Sequence, residues 1–389
     1  MNNHSAYAPI VDVTRGHWVE SVHRGAIAVV DSSGRLVASL GNPKEPVYLR
    51  SAAKPFQALA LVCSGAADAL GVTEEELAVV CGSHSGEPRH LELVSQLLQR
   101  AGLKTSDLHC GIHPPFDPAA RRALVRSGEA PNLLHNNCSG KHAGMLAAAS
   151  YLGLEIERYT DPEHEVQVAI RALVAFLAGM EPDEVGLAVD GCTVPTFLVP
   201  LRGFALALAR LAEAGESEAA AGSESYDDDL ADEVSSSAKT GGGEDEAAGG
   251  DDAAADDGFP VPVPEALRRV WLAMKSHPVL VAGRQGRLCT DLMRVAQRHG
   301  VALVAKSGAE GVYAIAAAHG DEFLGIALKV EDGAERARNS AALETLLQLH
   351  ILPEEAVETL AGYHHPPVLN RLDEPVGEVR PRFRLNFGL

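Results

Sequence analysis

The sequence contains no long apolar run. No uninterrupted apolar stretch reaches the roughly 18–20 residues that a transmembrane helix needs. The opening residues, MNNHSAYAPIVDVTRG, also lack the basic and apolar segments of a secretory signal. We therefore expect no membrane span, and the cytoplasm is the predicted location.

Cysteine is scarce in this chain. The 389 residues include 6 cysteines, and these are spread from Cys63 to Cys289 without a regular spacing. A chain of this length without an export signal rarely depends on a disulfide framework. We expect small, reduced thiols at these positions.

Basic residues are outnumbered, with 33 Lys and Arg against 53 Asp and Glu, for a formal net charge of −20. Nucleic-acid binding needs clustered basic side chains that displace counterions, so the sequence does not favour it. Much of the negative charge is local, because 16 acidic residues and a single lysine lie between Glu213 and Asp257.

Residues 213–258 form an acidic segment of low complexity, rich in Ser, Gly and Ala, with Tyr226 as its only aromatic residue before Phe259. Such a composition buries too little apolar surface to offset chain entropy, which predicts disorder. Amphipathic patterns flank the segment on both sides. We therefore interpret it as an insert within a single catalytic unit formed by residues 1–212 and 259–389.

The rest of the chain alternates short β-branched strands with amphipathic helices, which predicts an α+β fold with a mixed sheet. Residues 25–41 predict a hairpin that turns at Ser32–Gly34. The runs predicted as strands are LAVVCGSHS, GLAVDGC, ALVAKSG, YAIAAAH and FLGIALKVED. The runs predicted as helices are AKPFQALALVCSGAADALG, KHAGMLAAASYLG, PEALRRVWLAMKSHP and AERARNSAALETLLQLHILP.

Ser51 and Lys54 lie at the start of one of these predicted helices. Positions i and i+3 share a helix face, so the two side chains can meet. A desolvated lysine with a lowered pKa can accept a serine proton and so activate a nucleophile. The pattern S-x-x-K is common by chance, and its ordinary explanation is an N-cap serine followed by an exposed lysine.

Four further clusters place polar residues at the ends of predicted elements. Glycine and small polar side chains at such ends let backbone amides approach a ligand, and helix N-termini favour anions. Each cluster alone is compatible with an ordinary loop, but together they predict one concave site. The clusters are Cys81–Gly86, Asn136–His142, Asp190 with Cys192, and Lys306 with Gly308 and Gly311.

Six runs together resemble the rhizobial-type, or class 3, L-asparaginase II family of bacteria. In chain order they are RGHWVESVHRG, RSAAKPFQ, CGSHSGEP, NNCSGKHAGML, DGCTVPTF and KSGAEGVYA. The resemblance covers nearly the whole chain apart from the acidic insert. It implies a cytoplasmic homodimer that hydrolyses L-asparagine to L-aspartate and ammonia, with an architecture like that of the serine β-lactamases and glutaminases.

The resemblance also implies the roles of individual residues. The catalytic residues would be two serine–lysine pairs, Ser51 with Lys54 and Ser83 with Lys306. A supporting Zn²⁺ would be held by Cys138, Lys141 and Cys192, and substrate would contact Arg50, His142 and Asp190.

Two of these assignments stay open at the level of sequence. Amide hydrolysis needs a nucleophile, a base, an anion hole and a proton for the leaving ammonia. Ser51 is favoured as the nucleophile because helix geometry would fix its lysine partner, but Ser83 is the alternative. Two thiolates suit zinc, whereas lysine is an unusual ligand, so His142 competes with Lys141 for the third position.

Two other functions are compatible with parts of the sequence. Penicillin-recognising serine hydrolases also begin their active sites with S-x-x-K, and Lys306–Ser307–Gly308 resembles their K-S-G element. This chain lacks the S-D-N or Y-x-N element that those enzymes require. A zinc-dependent regulatory protein that recruits partners through the acidic insert is the non-enzymatic alternative.

Overall fold

A sheet of nine antiparallel strands lies at the centre of the protein, as seen in a computed structural model that describes residues 6–216 and 259–388. Its main strand order is β10-β11-β1-β2-β9-β8-β7, and β3 pairs with both β2 and β12. A second sheet of three strands has the order β4-β6-β5. The fold is α+β, as predicted, but all the strand pairings in the described residues are antiparallel, which differs from the predicted mixed sheet.

The strands are β1 Ala8–Arg15, β2 Trp18–Asp31, β3 Leu36–Leu40, β4 Pro46–Tyr48, β5 Gly186–Val189, β6 Pro195–Pro200, β7 Leu303–Ser307, β8 Val312–His319, β9 Glu322–Val330, β10 Pro367–Leu369, β11 Pro375–Pro381 and β12 Asn386–Phe387. The helices are α1 Lys54–Gln57, α2 Leu59–Cys63, α3 Ala66–Ala69, α4 Glu74–Val80, α5 Pro88–Arg100, α6 Pro118–Ser127, α7 Ser139–Tyr151, α8 Glu165–Ala178, α9 Leu201–Glu216, α10 Val263–Ser276, α11 Pro278–Val281, α12 Leu288–Arg298, α13 Glu335–Gln348, α14 Glu354–Glu358 and α15 Ala361–His364. Short 3₁₀ turns include Arg50–Ala53.

The predicted hairpin at residues 25–41 is confirmed by the pairing of β2 with β3. Its turn is closed by the Asp31 carboxylate, which accepts hydrogen bonds from the backbone N–H groups of Ser33 and Arg35. Strand β2 is long enough to pair with β1 along its first half and with β9 along its second half. It therefore ties the N-terminal and C-terminal parts of the chain into one sheet.

Helices cover both faces of the central strands, since consecutive residues of β8 and β9 are buried. Helix α9 packs on β2, β8 and β9, and α13 contacts β1, β8, β9 and β11. The approach of α9 is close enough to require glycine in the strand. A Cβ atom at Gly325 would lie 1.8 Å from the carbonyl oxygen of Ala205.

The run LAVVCGSHS is not a strand, and this prediction was wrong. Its first part belongs to helix α4, which begins after Thr73 with a reciprocal capping box to Glu76. Short apolar runs do not separate strand from helix by periodicity. The preceding TEEE is typical of a helix N-terminus, and it was the signal that could have decided the question.

The region after Ser51 is also more broken than the single predicted helix. Residues 54–69 form three short helices, α1 to α3, and the last begins after Gly65 in the left-handed conformation (φ 78°). The 3₁₀ turn Arg50–Ala53 packs against β6, β7 and β8. This packing places Ser51 beside the end of the sheet that carries Lys306.

Helix α9 extends four residues into the predicted acidic insert, because it ends at Glu216 rather than before residue 213. The Glu216 carboxylate accepts a hydrogen bond from the Trp271 indole N–H (2.7 Å) and pairs with Lys275 on α10. The remainder of the insert, residues 217–258, lies outside the described residues. Across the part of the chain that the structure describes, no helix is long and apolar enough to cross a membrane.

Replacing residues 217–258 by a Gly/Ser linker of about ten residues is expected to preserve fold and activity. The linker joins Glu216 to Phe259, and Glu216 contacts Trp271. From Phe259 to Trp271 the chain covers at most about 25 Å, as four extended residues at about 3.3 Å and eight helical residues at about 1.5 Å. Ten extended residues reach about 33 Å. Thermal unfolding should shift by less than about 2 °C, and ammonia release should stay within about twofold of the parent chain. An insoluble or inactive product would show that the insert is structural.

Candidate active site

Ser51 and Ser83 line the same pocket, which has a volume of 630 Å³. It lies where the 3₁₀ turn after β4, the segment after α4, the start of α12 and the end of β7 meet. The other lining residues are Ser85, Phe116, Pro118, Asn137, Gln285, Gly286, Arg287, Leu288, Cys289, Ser307, Gly308, Ala309, Glu335 and Arg338. Two serines in one partly enclosed pocket are the chemical core of the site.

Ser83 is hydrogen-bonded to Lys306, although 223 positions separate them in the sequence. The distance from Lys306 Nζ to Ser83 Oγ is 2.8 Å, and Lys306 is 2% exposed. The Lys306 amine also donates to the carbonyl oxygen of Ser307 (2.9 Å). Burial, and then the positive charge of Lys54, hold the pKa of Lys306 well below its usual value. A neutral amine in this position can accept the proton of Ser83.

The amine of Lys54 is completely buried and contacts two carbonyl oxygens. It donates to Gly82 O (2.8 Å) and Asn137 O (3.1 Å). Burial lowers its pKa and outweighs the opposing effect of nearby Cys138. The Cys138 side chain is a third hydrogen-bond partner of this amine. No hydrogen bond joins Lys54 to Ser51 in the described part of the chain, which differs from the contact that the i, i+3 spacing predicted.

The backbone immediately before Ser51 adopts an uncommon conformation. Arg50 has φ 51°, in the left-handed region that non-glycine residues seldom occupy. Two contacts hold it there: its N–H donates to Thr196 Oγ1 (3.2 Å), and its guanidinium pairs with Asp190 (2.8 Å). Burial alone would raise the pKa of Asp190, but Lys141, the Gly191 N–H and Arg50 lower it overall. Strain of this kind is concentrated at functional sites.

Cys138, Lys141 and Cys192 converge in a buried cluster. Lys141 Nζ lies 3.1 Å from Cys192 Sγ, and the three side chains are almost completely buried. The hydrogen bond with Cys192 lowers the pKa of Cys138, and the positive charges of Lys54 and Lys141 lower it further. Helix α7, which carries Lys141, packs tightly on α4: a Cβ atom at Gly140 would lie 2.5 Å from Val79 O. Asn137, the residue before Cys138, lines the pocket.

His142 lies beside this cluster and carries a polar atom without a partner. Its Nδ1 is 2.7 Å from the Tyr159 hydroxyl, which in turn accepts the His109 N–H. In the described ranges, His142 Nδ1 is the only acceptor for the Tyr159 proton, so the ring proton belongs on Nε2. That buried Nε2–H has no hydrogen-bond acceptor in residues 6–216 and 259–388.

The predicted residues therefore fall into three groups. Ser51 and Ser83 line the pocket, and the amines of Lys306 and Lys54 bond the lining residues Ser83 and Asn137. Cys138, Lys141 and Cys192 form the neighbouring cluster. The residues predicted to contact substrate do not line this pocket: they are Arg50, His142 and Asp190.

Two pocket residues, Arg287 and Arg338, were missed by sequence reasoning. Arg287 is the N-cap residue of α12, and Arg338 lies on α13. The available signal was GRQGRLC, in which two glycines flank a basic loop before a helix. Arg338 had no local signal, because it resembles any arginine on an amphipathic helix.

A comparison with known protein families gave a match. A family model described as L-asparaginase II matches residues 11–249 and 250–381. No curated protein matches the chain.

Replacing Lys306 by methionine is expected to abolish activity and to change how stability depends on pH. Because the pKa of Lys306 is lowered in the folded protein, the unfolded chain binds one more proton between that pKa and about 10.4. In this window the wild-type free energy of unfolding should rise by about 1.4 kcal/mol per pH unit relative to Lys306→Met.

Urea unfolding at several pH values measures this difference directly. Lys44→Met removes an exposed amine that stays solvated in both states, so it should show no such slope and serves as the control. Parallel curves for wild type and Lys306→Met would mean that Lys306 is charged in the folded protein.

Proposed function

Because the chain belongs to the L-asparaginase II family, we propose that it hydrolyses the side-chain amide of L-asparagine through a covalent serine intermediate. The family makes the chain an L-asparaginase, which is an amidohydrolase. The observation that supports the covalent route is the pocket that Ser51 and Ser83 share, where the buried amine of Lys306 lies 2.8 Å from Ser83 Oγ. Hydroxyls beside buried amines are the arrangement that an activated nucleophile needs, and both serines are candidates.

We assign the nucleophilic attack to Ser51. It is the more exposed of the two serines, since Ser83 is only 4% exposed and already bonded to a lysine. The strained backbone at Arg50 fixes the position of Ser51 relative to the pocket. Lys54 is the proposed base, because its buried amine lies three residues after Ser51 and bonds the carbonyl oxygen of Asn137, a residue that lines the same pocket. Catalytic hydrogen bonds often tighten only with substrate bound, and the Ser51–Lys54 contact would form at that stage.

The proposed reaction has two steps. Ser51 Oγ attacks the side-chain amide carbon while its proton passes to Lys54, and collapse of the tetrahedral intermediate expels ammonia. The proton taken up by Lys54 passes through the Ser83 hydroxyl, which Lys306 holds in place, to the departing nitrogen, so that the amide C–N bond breaks and ammonia leaves. Water then attacks the acyl-enzyme, which releases L-aspartate and regenerates the Ser51 hydroxyl.

A Zn²⁺ ion fits the chemistry of Cys138, Lys141 and Cys192. Two thiols and an amine in a buried cluster suit a borderline-soft cation, provided that the lysine is neutral when it coordinates. No group of three His, Cys, Asp or Glu side chains occurs among the described residues, so the lysine is needed to complete the set. His142 suits substrate better than metal, because its free Nε2 carries a proton. When bound, zinc would organise the polar end of the pocket.

Three further proposals rest on the family resemblance. They are an architecture like that of the serine β-lactamases and glutaminases, a cytoplasmic location, and a homodimer.

Alanine substitution of each serine tests the reaction. Ser51→Ala should lower kcat for ammonia release from asparagine by at least about 10³-fold, since it removes the nucleophile. Ser83→Ala should lower kcat by roughly 10²-fold with little change in KM, because it removes one proton carrier. Ser127→Ala on α6 is the matched control and should behave as wild type. Full ammonia release by Ser51→Ala would refute the assignment.

Metal removal tests the zinc proposal. Titration calorimetry of the chelated enzyme should detect one tight zinc site, lost in the double variant Cys138→Ser/Cys192→Ser and kept in Cys63→Ala. Chelation should raise KM for asparagine more than it lowers kcat, because Ser51 and Lys54 supply the nucleophile and base. Complete loss of turnover at saturating asparagine would mean that the metal takes part in the chemistry.

A further inference from the structure

Arg287 carries an unpaired positive charge in the wall of the pocket that contains Ser51 and Ser83. No carboxylate lies within 4.0 Å of its guanidinium in the described residues. The other guanidinium in this pocket is already compensated, because Arg338 pairs with Glu335 at 2.6 Å. Arg287 is therefore the cation of this pocket that remains available to an anionic ligand.

The guanidinium of Arg287 is held in place by neutral groups. One terminal nitrogen donates to Ser85 Oγ (3.0 Å) and the other to the Ser83 carbonyl oxygen (2.9 Å). The ring of Phe116 lies 5.7 Å from its central carbon. A guanidinium has five N–H donors, so these two bonds position the group and leave three donors for a ligand. Neutral acceptors also leave its positive charge uncompensated.

Arg50 differs from Arg287 in its charge compensation and in its position relative to the pocket. Its charge is already balanced by Asp190 at 2.8 Å, and Arg50 is not among the residues that line the pocket. A substrate carboxylate at Arg50 would have to compete with that ion pair. At Arg287 it would meet a fixed and uncompensated donor set beside the serines, and such charge-assisted bonds are strong and directional.

We propose that Arg287 binds the α-carboxylate of the substrate and so makes the enzyme selective for amides that carry a free α-carboxylate. This inference rests on the proposed function, since it assigns one end of asparagine to Arg287 and the amide end to the serines. Arg287 also donates a hydrogen bond to the Ser83 carbonyl oxygen, so one side chain would contact both the substrate and the segment that carries Ser83.

Two substrates separate this role from a purely structural one. L-Asparagine has the α-carboxylate, whereas 3-aminopropanamide presents the same amide without it. Arg287→Gln should lower kcat/KM for asparagine by about 10²-fold, as loss of a charge-assisted pair predicts. It should change kcat/KM for 3-aminopropanamide by less than about threefold. Arg287→Lys keeps the positive charge but loses the paired N–H donors of the guanidinium, so its decrease in kcat/KM for asparagine should be intermediate.

Arg284→Gln is the matched control, because Arg284 lies on the same loop but is 71% exposed and pairs with Glu87. It should leave both substrates within about twofold of wild type. An equal loss on both substrates in folded Arg287→Gln would overturn the inference and reduce Arg287 to a support for Ser83.

Product binding gives a second readout that does not need turnover. Calorimetry should show that Arg287→Lys binds aspartate at least tenfold more weakly than wild type does. This comparison also tests the inference if Arg287→Gln does not fold. Unchanged aspartate affinity would overturn the inference. Wild-type enzyme that binds aspartate through Arg287 but releases no ammonia from asparagine would instead contradict the proposed function and leave the inference standing.

Discussion

The burial of two lysine amines is the constraint on which the rest of the site depends. Lys54 and Lys306 are removed from water, which disfavours their charged forms and lowers the pKa of both amines. A buried amine still needs hydrogen-bond acceptors, and each one has two of them. The surrounding fold supplies these acceptors at fixed positions, and one of them is the hydroxyl of Ser83.

The fold achieves this by bringing together segments that are distant in the chain. The Ser83 N–H bonds to Val281 O, and Ser85 Oγ bonds to Ala282 O, so the segment after α4 is joined to the loop before α12. Strand β7 then delivers Lys306 from the sheet. The segment before α7, which packs tightly on α4, places the Asn137 carbonyl and Cys138 against the amine of Lys54. Close helix contact at Gly140 is therefore a requirement of the chemistry as well as of packing.

Local sequence patterns predicted much of the fold and only part of the site. Alternating and β-branched runs identified β2, β3, β8 and β9, because those signals are local. LAVVCG was misread, since a short apolar run fits either a helix or a buried strand.

The predicted meeting of Ser51 and Lys54 shows the limit of spacing arguments. The amine of Lys54 instead contacts the carbonyl oxygens of Gly82 and Asn137. These residues are distant in the sequence, so the spacing of Ser51 and Lys54 could not predict the contacts. The pairing of Ser83 with Lys306 came only from family resemblance, because 223 positions separate them. Arg287 was missed for a related reason: what distinguishes it is the lack of a nearby carboxylate, a property of the folded chain.

The most direct test of the covalent serine route is to locate the acyl group. Enzyme turning over asparagine is quenched in acid, digested and analysed by mass spectrometry. Trypsin leaves both serines in one peptide, residues 51–89, because Lys54 precedes Pro55, so cleavage after Phe56 is needed to separate them. We expect an aspartyl ester on Ser51. An ester on Ser83 would exchange the roles of the two serines, and an unmodified chain under conditions of rapid turnover would contradict covalent catalysis.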